Sequence, residues 1–167
     1  MTLAIMQIVF LGLCYKWSDW KNWKLYYPTM LFYIIGNLTE DIITCKKPLW
    51  LYYGSTSIDR LADYLFGFLI FPCVVILFLS RYPKGRMKQI AYSCAFIAVM
   101  SFVEIALYIH GEIQYYNGWN LWWSVLLYVG VFPLLRLHYK NPIWAWVILF
   151  ALVAGGVFHF KIPLSEL

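Results

Sequence analysis

Between Thr2 and Phe160 the chain is a succession of apolar runs separated by short segments that carry most of its charge. The runs cover 2–16, 28–45, 61–80, 89–109, 119–137 and 142–160. A helix that crosses a hydrocarbon core needs about 20 predominantly apolar residues. Lipid offers no partner to backbone N–H and C=O groups, so each segment has to satisfy its own, as a helix does. The last four runs meet the length requirement. The first is short, since a helix of about 15 residues covers only ~22 Å. It spans only if Lys16 and Trp17 reach along the interface.

Composition argues for the same solvent. Of 167 residues, 63% are hydrophobic and 13% charged, against about 45–50% and 25% in ordinary soluble domains. A soluble domain this small has too much surface for its volume to hide so much apolar area. The expected fold is therefore an all-α membrane protein, a single domain over 1–167. It is a bundle of about six transmembrane helices, or five if the first run does not span.

Trp, Tyr, Lys and Arg gather at the ends of the runs, as in interfacial belts: Trp17, Trp20, Trp23, Tyr26 and Tyr27 at one boundary, Tyr115, Tyr116, Trp119 and Trp122 at another. Lys and Arg also fix an orientation. Lys16, Lys21, Lys24, Arg81, Lys84, Arg86, Lys88, Arg136 and Lys140 fall on one side, nine in all, while Lys46, Lys47, Arg60 and Lys161 make four on the other. The richer side is expected to be cytoplasmic, which leaves the C-terminus outside. A net charge of +5 dispersed over turns is no footprint for nucleic acid, which needs a basic stripe on one face.

Polar groups within the runs are the candidates for function. An ionisable side chain inside a span costs roughly 2.5 kcal/mol or more and normally faces the bundle interior or a water cavity. Asn37, Glu40 and Asp41 interrupt the second run, and Glu104 the fourth. Asn37 and Asp41, four residues apart, share a helix face, with Glu40 about 100° round from Asp41. Helix rise puts Asn37, Asp41, Glu104, Asn120 and Ser124 at overlapping depths in the outer half. This layer reads as an outward-facing acidic pocket for a small cationic or amphiphilic solute. Two carboxyls this close in low dielectric do not both ionise cheaply, so Asp41 and Glu104 are expected to share one proton or hold a cation between them. The segment from Asn117 to Ser124 adds a rim in which Asn117 caps a helix and Trp119 and Trp123 face a cationic ligand. The opposing readings are that Glu40 and Asp41 snorkel to headgroups, Glu104 is a hydrogen-bonded packing residue, and the Trp residues only anchor.

Four cysteines lie far apart without a C-x-x-C, and three histidines match no metal spacing. Phosphate loops and nucleophile elbows are absent. No cofactor is implied.

Two aromatic stretches carry a resemblance. One runs from Trp17-Ser18-Asp19-Trp20 to Tyr27-Pro28-Thr29, the other from Gly118-Trp119-Asn120-Leu121-Trp122-Trp123-Ser124 through Phe132-Pro133 to Arg136-Leu137-His138. Together they resemble an uncharacterised family of small multi-pass proteins from spore-forming Gram-positive bacteria. The resemblance implies a bacterial cytoplasmic membrane and a shared fold. With no activity established for that family, it assigns no catalytic residue.

Function is thus expected to be binding or transport of a cationic or amphiphilic solute. One rival is a structural or accessory subunit that docks a partner by its Trp-rich face. Another is a membrane enzyme acting on a lipid or isoprenoid. A continuous cavity among the second, fourth and fifth runs supports the first or the enzyme; a packed interior supports the subunit.

Overall fold

A computed structural model describes residues 2–52 and 57–163. Among them are six α-helices, at the positions of the six apolar runs: α1 (Thr2–Trp17), α2 (Tyr27–Thr44), α3 (Ser57–Ser80), α4 (Arg86–Ile109), α5 (Leu121–Lys140) and α6 (Pro142–Phe160). Prolines open two of them. Pro28 and Pro142 stand in the first turns of α2 and α6, where a missing N–H costs nothing. Pro72 and Pro133 lie inside α3 and α5. A 3-10 turn, Trp20–Leu25, carries the chain from α1 into α2.

Helices α4, α5 and α6 are each long and apolar enough to cross a membrane. Only 17% of the apolar window of α4 and 11% of that of α6 is covered by protein. Apolar helices so little covered require an apolar solvent on their outer faces. Phe102, Ile109, Trp144, Ile143 and Phe158 all point outward.

The later half of α3 is closely enclosed, with Ile70, Val74, Val75, Ile76 and Phe78 at 1% exposure or less. It packs on α1 and α2, α5 packs on α4 and α6, and α2 bridges the two groups by its contact with α5. Phe78 is the hub of the aromatic packing, with ring centroids 5.2 Å from Phe96 and 5.0 Å from Phe132. Cys14 and Cys73 are buried here, while Cys94 faces out from α4.

The sequence reading holds only helices, yet two three-residue strands are also present. β1 (Trp50–Tyr52) pairs antiparallel with β2 (Ile113–Tyr115), Leu51 opposite Gln114. The ladder ties the segment after α2 to the segment after α4. Asn117 and Gly118 then turn the chain with φ of 51° and 88°, the left-handed region that Asn and Gly tolerate best. The Asn117 side chain donates to the Pro48 carbonyl at 2.7 Å and is not the helix cap. That role belongs to Asn120, whose Oδ1 accepts from the backbone N–H of Trp122 and Trp123. Helix α5 accordingly starts at Leu121, two residues later than its apolar run.

Candidate functional site

Between α2, α4, α5 and α6, below the ladder, lies a cavity of about 570 Å³. That is within the range of small-molecule sites, roughly 300–1,000 Å³. Its walls are mostly apolar, with Leu107 and Val103 from α4, Leu134 and Leu135 from α5, and Leu149 and Val153 from α6. Polar groups enter from four helices: Asn37, Glu40 and Thr44 from α2, Glu104 from α4, Ser124 and Tyr128 from α5, and His159 from α6.

Glu104 is 5% exposed, and both its oxygens are engaged. Tyr115 Oη donates to Oε1 at 2.7 Å and Tyr128 Oη to Oε2 at 2.6 Å. Hydrogen bonds to a carboxylate are stronger than neutral ones and offset part of its burial cost. Ser124 is buried beside this clamp, and Trp119 Nε1 donates to Ser124 Oγ at 2.9 Å. Tyr115 lies in β2, outside the helices. Burial, followed by the bond to Glu104, raises its hydroxyl above the ordinary tyrosine range. The ladder therefore delivers a donor to the carboxyl as well as closing the end of the bundle.

On α2, Glu40 Oε1 accepts from Thr44 Oγ1 at 3.0 Å, one turn away. Aromatic rings cover the cavity at the ladder end. Trp119 packs against Trp50 with centroids 4.8 Å apart, and Trp123 lies 5.2 Å from Phe160. Lys47, in the segment after α2, reaches across to the end of α6, where Nζ donates to the Phe160 carbonyl at 2.8 Å. At the opposite end Phe32 closes the floor, stacked on His138 at 4.2 Å and edge-on to Trp146 at 4.8 Å. Thr29 Oγ1 and His138 Nδ1 are 3.0 Å apart and share a hydrogen bond.

Six of the eight residues read from sequence line this cavity: Asn37, Glu40, Glu104, Trp119, Trp123 and Ser124. The other two do not. Asp41 points about 100° round α2 from Glu40, toward a neighbouring space of about 50 Å³ bounded by Trp50, Tyr52, Gly67 and Phe71. Asn37 stands between the two spaces and lines both. The expected pairing of Asp41 with Glu104 is thus replaced by Glu40 and Glu104 around one cavity. The physical reason is azimuth: one residue along a helix is 100° of rotation, and it is Glu40 that points inward. Asn120 is spent on the cap of α5. Lys47, a possible basic partner for these carboxyls, bonds backbone carbonyls instead, and Arg60 lies outside the residues whose side chains are described.

Tyr115 and Tyr128 escape the sequence reading. A signal exists all the same: Glu104 sits at a depth without Lys or Arg, and a buried carboxyl needs donors. Tyrosine hydroxyls are the natural supply in such a layer. Comparison with protein-family models, with curated proteins and with solved structures finds no match to this chain.

Proposed function

We propose that this chain is a six-span protein of a bacterial cytoplasmic membrane that binds an amphiphilic cation, an amine headgroup on a long apolar body. In this reading all six helices cross, the basic turns face the cytoplasm and the ladder faces outward. The cavity would pass the bound amphiphile between leaflet and water, or hold it.

One observation carries the reading: two carboxyls, Glu40 and Glu104, face a cavity that is otherwise largely apolar. Among the described residues lining it there is no Lys or Arg. Acidic groups in a low-dielectric space favour a cation, and the aromatic rings at the ladder end add cation–π attraction. Apolar walls favour a hydrocarbon body. The docking-subunit reading is weakened because Trp119 and Trp123 turn into the cavity, although Trp122 is 82% exposed.

The test compares octadecylamine with octadecyl sulfate, titrated into the purified protein in phosphatidylcholine nanodiscs, with thermal unfolding as the readout. The amine should raise the transition temperature and the sulfate should not. Val131→Phe, which fills the cavity, should abolish the shift, and Glu104→Gln should weaken it. Equal shifts with amine and sulfate, or none with the amine, would overturn the proposal.

A further inference from the structure

The cavity has a side opening as well as ends. Its lining includes residues whose surfaces are also largely exposed: Leu126 at 57% and Leu127 at 42% on α5, Leu152 at 53% on α6. These belong to the flanks where α5 and α6 run antiparallel. Three levels can be followed along that seam. At the ladder end, Trp123 and His159 close it with ring centroids 4.7 Å apart. Two turns further in, a Cβ on Gly130 would come within 4.0 Å of Leu152 Cδ1, so the helices touch again. Between these levels Leu126 and Leu127 stand opposite Gly155 and Gly156, and a Cβ on either glycine would meet nothing within 4 Å.

That last fact decides what the glycines are for. Small residues in membrane helices ordinarily let two backbones approach closely. Here the space beside both glycines is open, so they hold a gap where larger residues would fill it. The gap is continuous with the cavity, because Gly155, Gly156, Leu126 and Glu104 all border the same space. It sits in the ladder-side part of α5 and α6, and α6 is the least covered of the candidate spans.

Resting on the reading of a cation-binding cavity, we propose that the ligand enters sideways from the bilayer. The window between α5 and α6 is framed by Trp123–His159 on one side and Gly130–Leu152 on the other. The occupant is a membrane-dissolved alkylamine, whose chain slides past Gly155 while its ammonium group moves to Glu40 and Glu104. Tail and head sort themselves by the lining: apolar side chains from Phe32 to Leu135 fill the end away from the ladder, and the carboxyls lie nearer the ladder.

A photoreactive octadecylamine with a mid-chain diazirine, added to the full-length protein in phosphatidylcholine nanodiscs, tests this. Labelling is followed over time at Met100, Val131 and Leu135 by peptide mass spectrometry. Wild-type protein should be labelled at these positions. Gly155→Phe, which plugs the window, should slow the initial labelling several-fold, and Leu126→Ala, which widens it, should speed it. The second variant carries the test should the first fail to fold. An unchanged rate in a folded variant of either kind overturns the window while leaving the cavity's ligand standing. Absence of cavity labelling in the wild type, even after long incubation, removes the ligand reading and the window with it.

Discussion

Tyr128 Oη lies 2.6 Å from Glu104 Oε2, a bond between adjacent helices that closes on the carboxyl from the side opposite Tyr115. This clamp explains how a buried acid is held in place with no basic side chain bonded to it among the described residues. Losing either hydroxyl leaves a carboxyl oxygen without its donor, and a bond to a charged group is worth about 1.5–3 kcal/mol. Tyr128→Phe and Tyr115→Phe should each lower stability by about 1–3 kcal/mol in thermal or denaturant unfolding, with the two effects less than additive because they share one acceptor. Full additivity would mean that the two bonds are independent.

The Tyr115 hydroxyl gives a pH dependence with a definite sign. Its folded pKa is raised, first by burial and then by Glu104, whereas in the unfolded chain it titrates near 10. The folded state therefore holds the proton more tightly. This contribution is complete below the unfolded value and is lost as pH rises above about 10. Stability should fall in that alkaline range, and Tyr115→Phe should flatten part of the fall. An identical slope in the variant would show that Tyr115 does not titrate as argued.

At the other end of the cavity, Thr29 and His138 share one hydrogen bond beneath Phe32. Thr29→Val removes the bond while keeping the shape and should cost about 1 kcal/mol. His138→Ala also removes the ring on which Phe32 stacks and leaves a void, so a loss of about 2–4 kcal/mol is expected. Equal losses in the two variants, read by denaturant titration, would contradict the stacking account.

Gly36 offers a contrast with the window glycines. A Cβ there would sit 3.7 Å from Leu149 Cδ2, ordinary contact distance. Gly36→Ala should be neutral or gain up to about 1 kcal/mol through helix propensity. Gly36→Leu should force α2 from α6 and destabilise by about 1–3 kcal/mol. Thermal unfolding distinguishes the two directions.

Orientation is the remaining expectation to check. A single-cysteine reporter in a cysteine-free background should react from outside at Glu112 and not at Lys84 or Asn141. Outside reaction at Lys84 would invert the topology.

Much of the fold was legible because apolar runs and helices share the same ends to within a few residues: Pro142 begins both the last run and α6. The ladder was not legible, since Trp50–Tyr52 and Ile113–Tyr115 are too short to show a period and make sense only as partners. Depth could be counted along each helix, and Asn37, Glu104 and Ser124, which the count put in one layer, border one space. Azimuth could not, because it depends on which neighbour each helix finds. That is why Asp41 and Glu40 exchanged roles, and why Tyr128, four residues after Ser124 on the same face, went unnoticed.

The clasp from Lys47 to the Phe160 carbonyl joins residues 113 positions apart, and this separation sets an order of events. During synthesis, α2 with Glu40 emerges early and α4 with Glu104 much later, while the residue that Lys47 must grip is made after α6. Until then the acidic space has walls on α2, α4 and α5 but no fourth side. A growing chain would thus carry its carboxyls half-enclosed against the insertion machinery, and the cavity would close only once α6 has been made. Truncation within α6 should accordingly spare the insertion of the earlier helices while leaving no enclosed site at all.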